Sequence, residues 1–310
     1  MPSAGESVST PEAENKSYSS DTTQYDVQAI RNHLDAYKPV ITVVSGQQVG
    51  KTLILESSTT VIGRDFAADM LLIDGGISRH HAEIEFQSGG AVVIRDLNST
   101  NGVRLNGKLI ADAPLESGDK IQLGPETVIE YRVEDPDEVA ARIQQYERSI
   151  QDDLTGIYNR RYFTVTLEHE LSYMRRRGAE SSLVLLDIDH FKRVNDEYGH
   201  RSGDKVLKLI TQTVTSYIRE KDMFARWGGE EFVILLRGMS TNGAVAVAER
   251  IRARLANLRL KRGESILTVT ASFGVTEIDL DRHDCVESAM HEVDGHLYSA
   301  KDQGRNRVVS

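Results

Sequence analysis

Proline divides this chain. All six prolines, Pro2, Pro11, Pro39, Pro114, Pro125 and Pro136, lie in the first 136 of 310 residues, and none follows. Proline breaks helix interiors and central strands. The stretch after Pro136 is therefore open to long helices alternating with paired strands, and the stretch before it to turns and short strands. Residues 1–26 hold nine serines and threonines and almost no large aliphatics. Such a tail cannot bury enough surface to offset its ordering entropy and is expected to be disordered. Val27, Ile30, Leu34 and Tyr37 follow at 3-4-3 spacing, which predicts a short amphipathic helix over 27–38. From 39 to 135 the runs VITVVSG, TVIGR, AEIEF, AVVIRDL, VRLNG, KIQLG and TVIEYRV recur between turn clusters, as in an all-β sandwich. Over 136–151, Val139, Ile143, Tyr146 and Ile150 form a narrow seam. That seam predicts a linker helix that pairs with a second copy, or packs on its own domain.

After Asp152 the order reads helix, strand (183–189), helix (203–218), hairpin at Gly228-Gly229, helix (242–258), strand (266–275), helix (286–302) and a short strand near Val308. This β-α-β-β-α-β alternation predicts an α/β sandwich of ferredoxin-like type, so the chain as a whole reads as multidomain. One cysteine, no basic-then-apolar leader and no apolar run of about 20 residues point to a cytoplasmic protein without a membrane span. A net charge of -10, from 37 basic and 47 acidic residues, argues against a nucleic-acid polymer as partner.

The apolar run Leu183–Leu186 ends in Asp187, and a buried strand has no structural need of a carboxylate there. Gly228-Gly-Glu-Glu-Phe lies between two strand-like runs, with the glycines expected to supply the positive φ of a tight turn and Glu230 and Glu231 projecting. If the hairpin lies beside the strand, Asp187 and Glu230 converge into an oxygen site suited to Mg²⁺. Lys192, Lys301 and Arg305 offer cations for phosphate, and Asp204 offers two acceptors to the N1/N2 edge of guanine.

Asp152-Asp-Leu-Thr-Gly with Asn159-Arg-Arg, DIDHFKRVNDEYGH, GGEEF, ASFGV and LYSAKDQGRN occur in that order over 152–310. This set resembles the GGDEF family of diguanylate cyclases. The resemblance implies condensation of two GTP into cyclic di-GMP and two pyrophosphates by a homodimer of half-sites. Asp187, the Ile188 backbone and Glu230 would hold Mg²⁺, two ions per half-site, with Mn²⁺ as a substitute, and Glu231 would support them. Lys192, Lys301, Arg305 and backbone near Phe191 would hold the triphosphate, while Asn195 and Asp204 read the base. Arg219 and Asp222, in RxxD spacing before the hairpin, resemble the family's inhibitory product site. Glu230 stands where the family more often has aspartate, and Val293 and His296 are bulkier than usual around Asp294.

In the first half, Gly63-Arg64, Ser78-Arg-His-His-Ala and Ser99-Thr-Asn-Gly fall in turns. They resemble the forkhead-associated (FHA) domain, which implies phosphothreonine binding by Arg64, Ser78, Arg79, Thr100 and Asn101. Gly63, Gly102 and Gly107 are expected to serve turns, and His81 to be a structural hydrogen-bonder. Thr23 has an acid three residues on, so Thr22 or Thr23, phosphorylated by a Ser/Thr kinase, is a candidate ligand in the chain's own tail. Two other readings remain open at this point: an inactive cyclic di-GMP receptor, and a phosphopeptide-binding scaffold.

Overall fold

The computed structural model describes residues 37–65, 67–262 and 265–310. The tail with Thr22 and Thr23, and nearly all of the helix expected over 27–38, lie outside these residues. At the described end of that segment Lys38 already begins a strand.

Among the described residues of the first half there are eleven short strands: β1 (Lys38–Ser45), β2 (Thr52–Ile54), β3 (Thr59–Gly63), β4 (Met70–Leu71), β5 (Ala82–Phe86), β6 (Val92–Asp96), β7 (Val103–Leu105), β8 (Lys108–Ile110), β9 (Asp112–Pro114), β10 (Lys120–Gln122) and β11 (Val128–Glu134). They make two sheets, ordered β2-β1-β11-β10-β7-β8 and β4-β3-β5-β6-β9. Ile41, Ile62, Ile84, Ile94, Ile121 and Ile129 come from both sheets and meet in one fully buried core. Alternation of apolar residues on these strands supplies that core, as the period of two requires.

Helix α1 (Pro136–Ile150) follows, capped by Asp135, whose side chain accepts from the Asp137 N–H, with proline in the first turn. Its seam is used within the chain: Val139 is fully buried, and Arg142 binds Glu134 at 2.7 Å and the Thr42 hydroxyl at 3.2 Å. Packing on the sandwich, the alternative to pairing, is thus what the chain itself provides for this face.

The second half comprises β12 (Tyr158–Asn159), α2 (Arg160–Arg177), β13 (Ser181–Ile188), α3 (Phe191–Tyr198), α4 (His200–Thr215), β14 (Met223–Arg226), β15 (Glu231–Arg237), α5 (Thr241–Ala256), β16 (Leu260–Arg262), β17 (Ser265–Leu267), β18 (Ala271–Glu277), α6 (Val286–Asp302) and β19 (Val308–Val309). Strands order as β12-β14-β15-β13-β18-β19. The central four are antiparallel, which is the ferredoxin-like arrangement of a β-α-β-β-α-β chain. All eight residues of β13 are buried. Val184, Leu186 and Ile188 pack into one core with α3, α4 and α5, while Leu183 and Leu185 pack into the other with α2 and α6. By the same alternation Asp187 falls on the α6 side.

Two expectations are corrected. The strand expected over 266–275 is interrupted: Ser265–Leu267 turns back on Leu260–Arg262, and the sheet strand starts at Ala271. A separate helix, Phe191–Tyr198, precedes the one expected from 203, which itself starts at His200.

Candidate functional site

Strand β13 delivers Asp187 opposite Glu231 of β15, and the Ile188 N–H donates to the Glu230 carbonyl at 3.3 Å. The strand tip and the GGEEF hairpin therefore adjoin, as the sequence requires of a shared site. Asp187 is 6% exposed, and burial pushes its carboxyl up to about 6. Lys301 opposes this from α6, with Nζ 2.9 Å from Asp187 Oδ2, while Glu230 and Glu231 add to the rise. Glu230 is half-buried and also raised, first by burial and further by Glu231. Two crowded carboxylates held by one lysine make a cluster in want of positive charge.

The hairpin is shaped differently from expectation. Neither Gly228 nor Gly229 has positive φ. At Gly228 a Cβ would lie 2.6 Å from Glu231 Oε2, the mobile end of a side chain that could turn aside. Arg226, which the sequence reading passed over, braces the turn. Its Nε and Nη2 donate to the Gly228 and Gly229 carbonyls, and its Nη1 reaches both oxygens of Asp152 at 3.1 Å. The signal was present in the sequence, since Asp152 belongs to the same motif set.

Asp189 was missed as well. It is 5% exposed and accepts from the Thr270 hydroxyl at 2.6 Å, the Ser272 hydroxyl at 2.7 Å and the Asn306 N–H at 3.1 Å. It thereby anchors a turn in which Arg305 and Asn306 both take positive φ, 64° and 45°, so that the exposed Arg305 follows directly on the helix bearing Lys301. On the other side of the strand tip, Phe191 is buried, Lys192 is exposed, and Asn195 lies against the start of α4. A Cβ on Gly203 would come within 2.0 Å of Asn195 Oδ1 and 3.1 Å of the Phe191 ring. Glycine at 203 is what lets Asn195 sit beside the exposed Asp204.

Arg219 is exposed, whereas Asp222 is 9% exposed and committed locally: its carboxylate accepts from the backbone N–H of Arg219 at 3.0 Å and of Arg237 at 3.1 Å. Asp222 ties the start of β14 to the end of β15, a structural role that the sequence reading did not assign. The two residues nevertheless wall a cavity of about 330 Å³ together with Tyr158 and Gln151.

The sequence of the second half matches the family described as diguanylate cyclase, GGDEF domain, over residues 149–307, just over half of the chain. The chain belongs to the GGDEF family. The FHA domain matches over residues 60–124. Among curated relatives, this GGDEF chain is 39% identical over 164 residues to diguanylate cyclase DgcP of Pseudomonas aeruginosa and 38% identical over 175 residues to diguanylate cyclase VdcA of Vibrio cholerae. These alignments cover 53% and 56% of this chain, but 24% and 49% of the relatives. The GGDEF chain thus spans a quarter to a half of the length of those proteins. Among solved structures it is similar to the coiled coil and GGDEF domain of DgcB from Caulobacter crescentus in complex with c-di-GMP (TM-score 0.52, 28% identity, 56% of this chain and 92% of that one). It is also similar to diguanylate cyclase SiaD of Pseudomonas aeruginosa in complex with its activator SiaC (TM-score 0.50, 38% identity, 56% and 69%).

The donor set fits Mg²⁺ of the kind the family implies. Among the described residues no three His, Cys, Asp or Glu side chains form a metal cage. Two hard carboxylates with no soft ligand suit an ion that takes its remaining ligands from water and phosphate oxygens.

In the FHA half, Ser78 and Thr100 meet: the Thr100 N–H donates to the Ser78 hydroxyl at 3.0 Å, and the two hydroxyls lie 3.3 Å apart. Asn101 donates to the Gly76 carbonyl at 2.7 Å. His81 is fully buried, its Nδ1 accepting from the Ser78 N–H and its Nε2 lying 3.3 Å from the Gly102 carbonyl, so it shapes this loop as expected. Gly63 corrects the turn expectation: it ends strand β3, and a Cβ there would lie 1.8 Å from the Arg79 carbonyl. Strand and loop run that close because the Arg64 and Asp65 N–H groups donate to the Ser78 and Arg79 carbonyls. The candidate phosphothreonine residues Arg64, Ser78, Arg79, Thr100 and Asn101 thus come from three segments held together by backbone hydrogen bonds. Among the described residues no helix is long and apolar enough to cross a membrane.

Proposed function

We propose that the chain is a diguanylate cyclase, condensing two GTP into cyclic di-GMP and two pyrophosphates. The observation that carries this reading is the pairing of the strand-tip Asp187 with Lys301 beside the GGEEF hairpin, within a chain of the GGDEF family. Asp187, Glu230 and the Ile188 carbonyl would hold Mg²⁺, with Glu231 in support. The ion, when bound, offsets charge on the α-phosphate and eases ionisation of the attacking 3′-hydroxyl. Lys301 would then have a second use: with Asp187 committed to the ion, its ammonium would be free to meet the triphosphate, alongside Lys192 and Arg305. Asn195 and Asp204 accept from the guanine edge, and adenine offers no matching donor pair. One chain presents one such site, so the hydroxyl of the second GTP arrives on a second copy, and positioning the two halves is the main catalytic resource.

The FHA half would read a phosphothreonine, with Thr22 or Thr23 of its own tail, once phosphorylated by a Ser/Thr kinase, as the tethered ligand. Tethering on a short flexible linker gives an effective concentration of about a millimolar, enough for a weak peptide. Arg219 and Asp222 would take cyclic di-GMP as feedback inhibitor through the exposed guanidinium. Incubating the full chain with GTP and Mg²⁺ and resolving nucleotides by chromatography tests the reaction. Cyclic di-GMP is expected, with Glu230→Ala lowering turnover by about a hundredfold or more. No product from the unmodified chain, or full turnover by the variant, overturns the reading.

A further inference from the structure

One line of residues on helix α6 leads away from the carboxylate site. Glu287, His291, Asp294, Tyr298 and Lys301 recur at intervals of four and three, so they share one face of the helix. At one end Lys301 holds Asp187. At the other, Glu287, His291 and Asp294 wall a cavity of about 400 Å³ with Leu185, Trp227 and Arg160. Leu185 precedes Asp187 by two residues on the same strand face, about 7 Å away. Cavity and carboxylate site are therefore neighbours along the strand as well as along the helix.

Tyr298 stands between them and is 70% exposed, the highest value for a large hydrophobic side chain among the described residues. Beside the hairpin, the Arg160 guanidinium lies over the Trp227 ring at 4.2 Å, and among the described residues it has no carboxylate within ion-pair distance. An exposed tyrosine, a half-buried tryptophan, an arginine without a counter-ion and Asp294 thus border the site on one side. Aromatic and arginine side chains of this kind are the usual anchors of protein interfaces.

We propose that this surface, formed by Tyr298, Arg160, Trp227 and Asp294, is where the cyclase half of a second copy docks. The inference rests on the two-GTP reaction above, which requires a second chain to close over the reacting nucleotide. The charge pattern selects a copy of the same chain as occupant: a twofold axis brings each patch against itself, and a patch carrying both Arg160 and Asp294 meets opposite charges in both directions.

The test uses the full chain with Tyr298→Ser, and separately Arg160→Glu and Asp294→Arg. For Tyr298→Ser, binding of a non-hydrolysable GTP analogue per chain is expected to stay unchanged. Turnover at low protein concentration should fall about tenfold and recover as protein concentration rises. The two charge variants should each be impaired and should restore turnover when mixed, since the mixed pair matches charge at both contacts. Turnover of Tyr298→Ser that equals the unmodified chain at every protein concentration, loss of analogue binding in step with turnover, or a charge-variant mixture no better than its parts each overturns the proposal. If the unmodified chain makes no cyclic di-GMP at all, it is the cyclase reading that fails.

Discussion

Asp187 puts function in conflict with stability, and the sign of that conflict is measurable. Its carboxyl is raised to about 6 chiefly by burial, so between the ordinary carboxylate range and that value the folded chain binds more protons than the unfolded one. Stability from this group is thus present at low pH and lost as pH rises from about 4 to 6. Asp187→Asn is expected to abolish turnover while raising the melting temperature at neutral pH without Mg²⁺ by a few degrees, on the order of 2–4 °C. A lower melting temperature would show that the Lys301 pair outweighs the burial cost. Protons also compete with the metal here, so Mg²⁺ affinity, followed by titration, should weaken as pH falls through about 6; a flat profile removes Asp187 from the ligand set. Gly203 makes a separate prediction about the base. The methyl of Gly203→Ala has no room against Asn195 Oδ1, so KM for GTP should rise about tenfold with kcat less affected. Equal KM values would detach Asn195 from guanine.

At the scale of elements, the GGEEF hairpin depends on a residue outside its motif. Arg226 holds two carbonyls of the turn and the Asp152 carboxylate at once, linking the tip of β14–β15 to the segment before α2. Arg226→Ala should cut turnover at least about tenfold and raise the Mg²⁺ concentration for half-maximal rate, with unfolding still cooperative. Rates restored by saturating Mg²⁺ alone would mean that the brace only tunes metal affinity. Arg226 illustrates what the sequence conveys and what it withholds. The order of strands and helices was legible because β13 is a continuous apolar run and α4, α5 and α6 repeat their apolar residues at helical spacing. Convergence of Asp187 and the hairpin followed from that order. The braces were not legible, because Arg226, Asp189 and Asp222 act through space on backbone groups that only the fold brings near. Gly228 lacks the positive φ expected of it, since a glycine that takes that backbone and one that does not look alike in a sequence. Helix α3 escaped because eight residues carry only two buried apolar side chains, Phe191 and Val194.

From Lys38 onward, sandwich, linker helix and cyclase half are joined more firmly than a string of separate parts implies. Burial pushes the Tyr146 phenol of α1 up, and the neighbouring Tyr162 of α2 pushes it further, so the linker helix and the cyclase half lie against each other there. Leu71 and Ile73 of the sandwich wall a cavity of about 130 Å³ with Tyr158, Tyr162 and His169 of the cyclase half, and that cavity also reaches Asp222. Ile73 is 4% exposed, and its N–H donates to Gln48 at 2.6 Å. Next to it, Asp74 accepts from the Gly76 N–H, and Gly76 in turn accepts from Asn101 in the proposed phosphothreonine site. Hydrogen bonds from Asn101 to Gly76 and from Gly76 to Asp74, and a cavity lined by both Ile73 and Asp222, therefore lie between the FHA loops and the turn bearing Arg219. Coupling through it requires that the two halves unfold together. Calorimetry of the full chain should give one transition, and Ile73→Asp, which buries a charge in this contact, should split it into two while the FHA half still binds a phosphothreonine peptide. Two transitions in the unmodified chain would make the halves independent. Tail phosphorylation would then have to act on the cyclase through the linker helix alone.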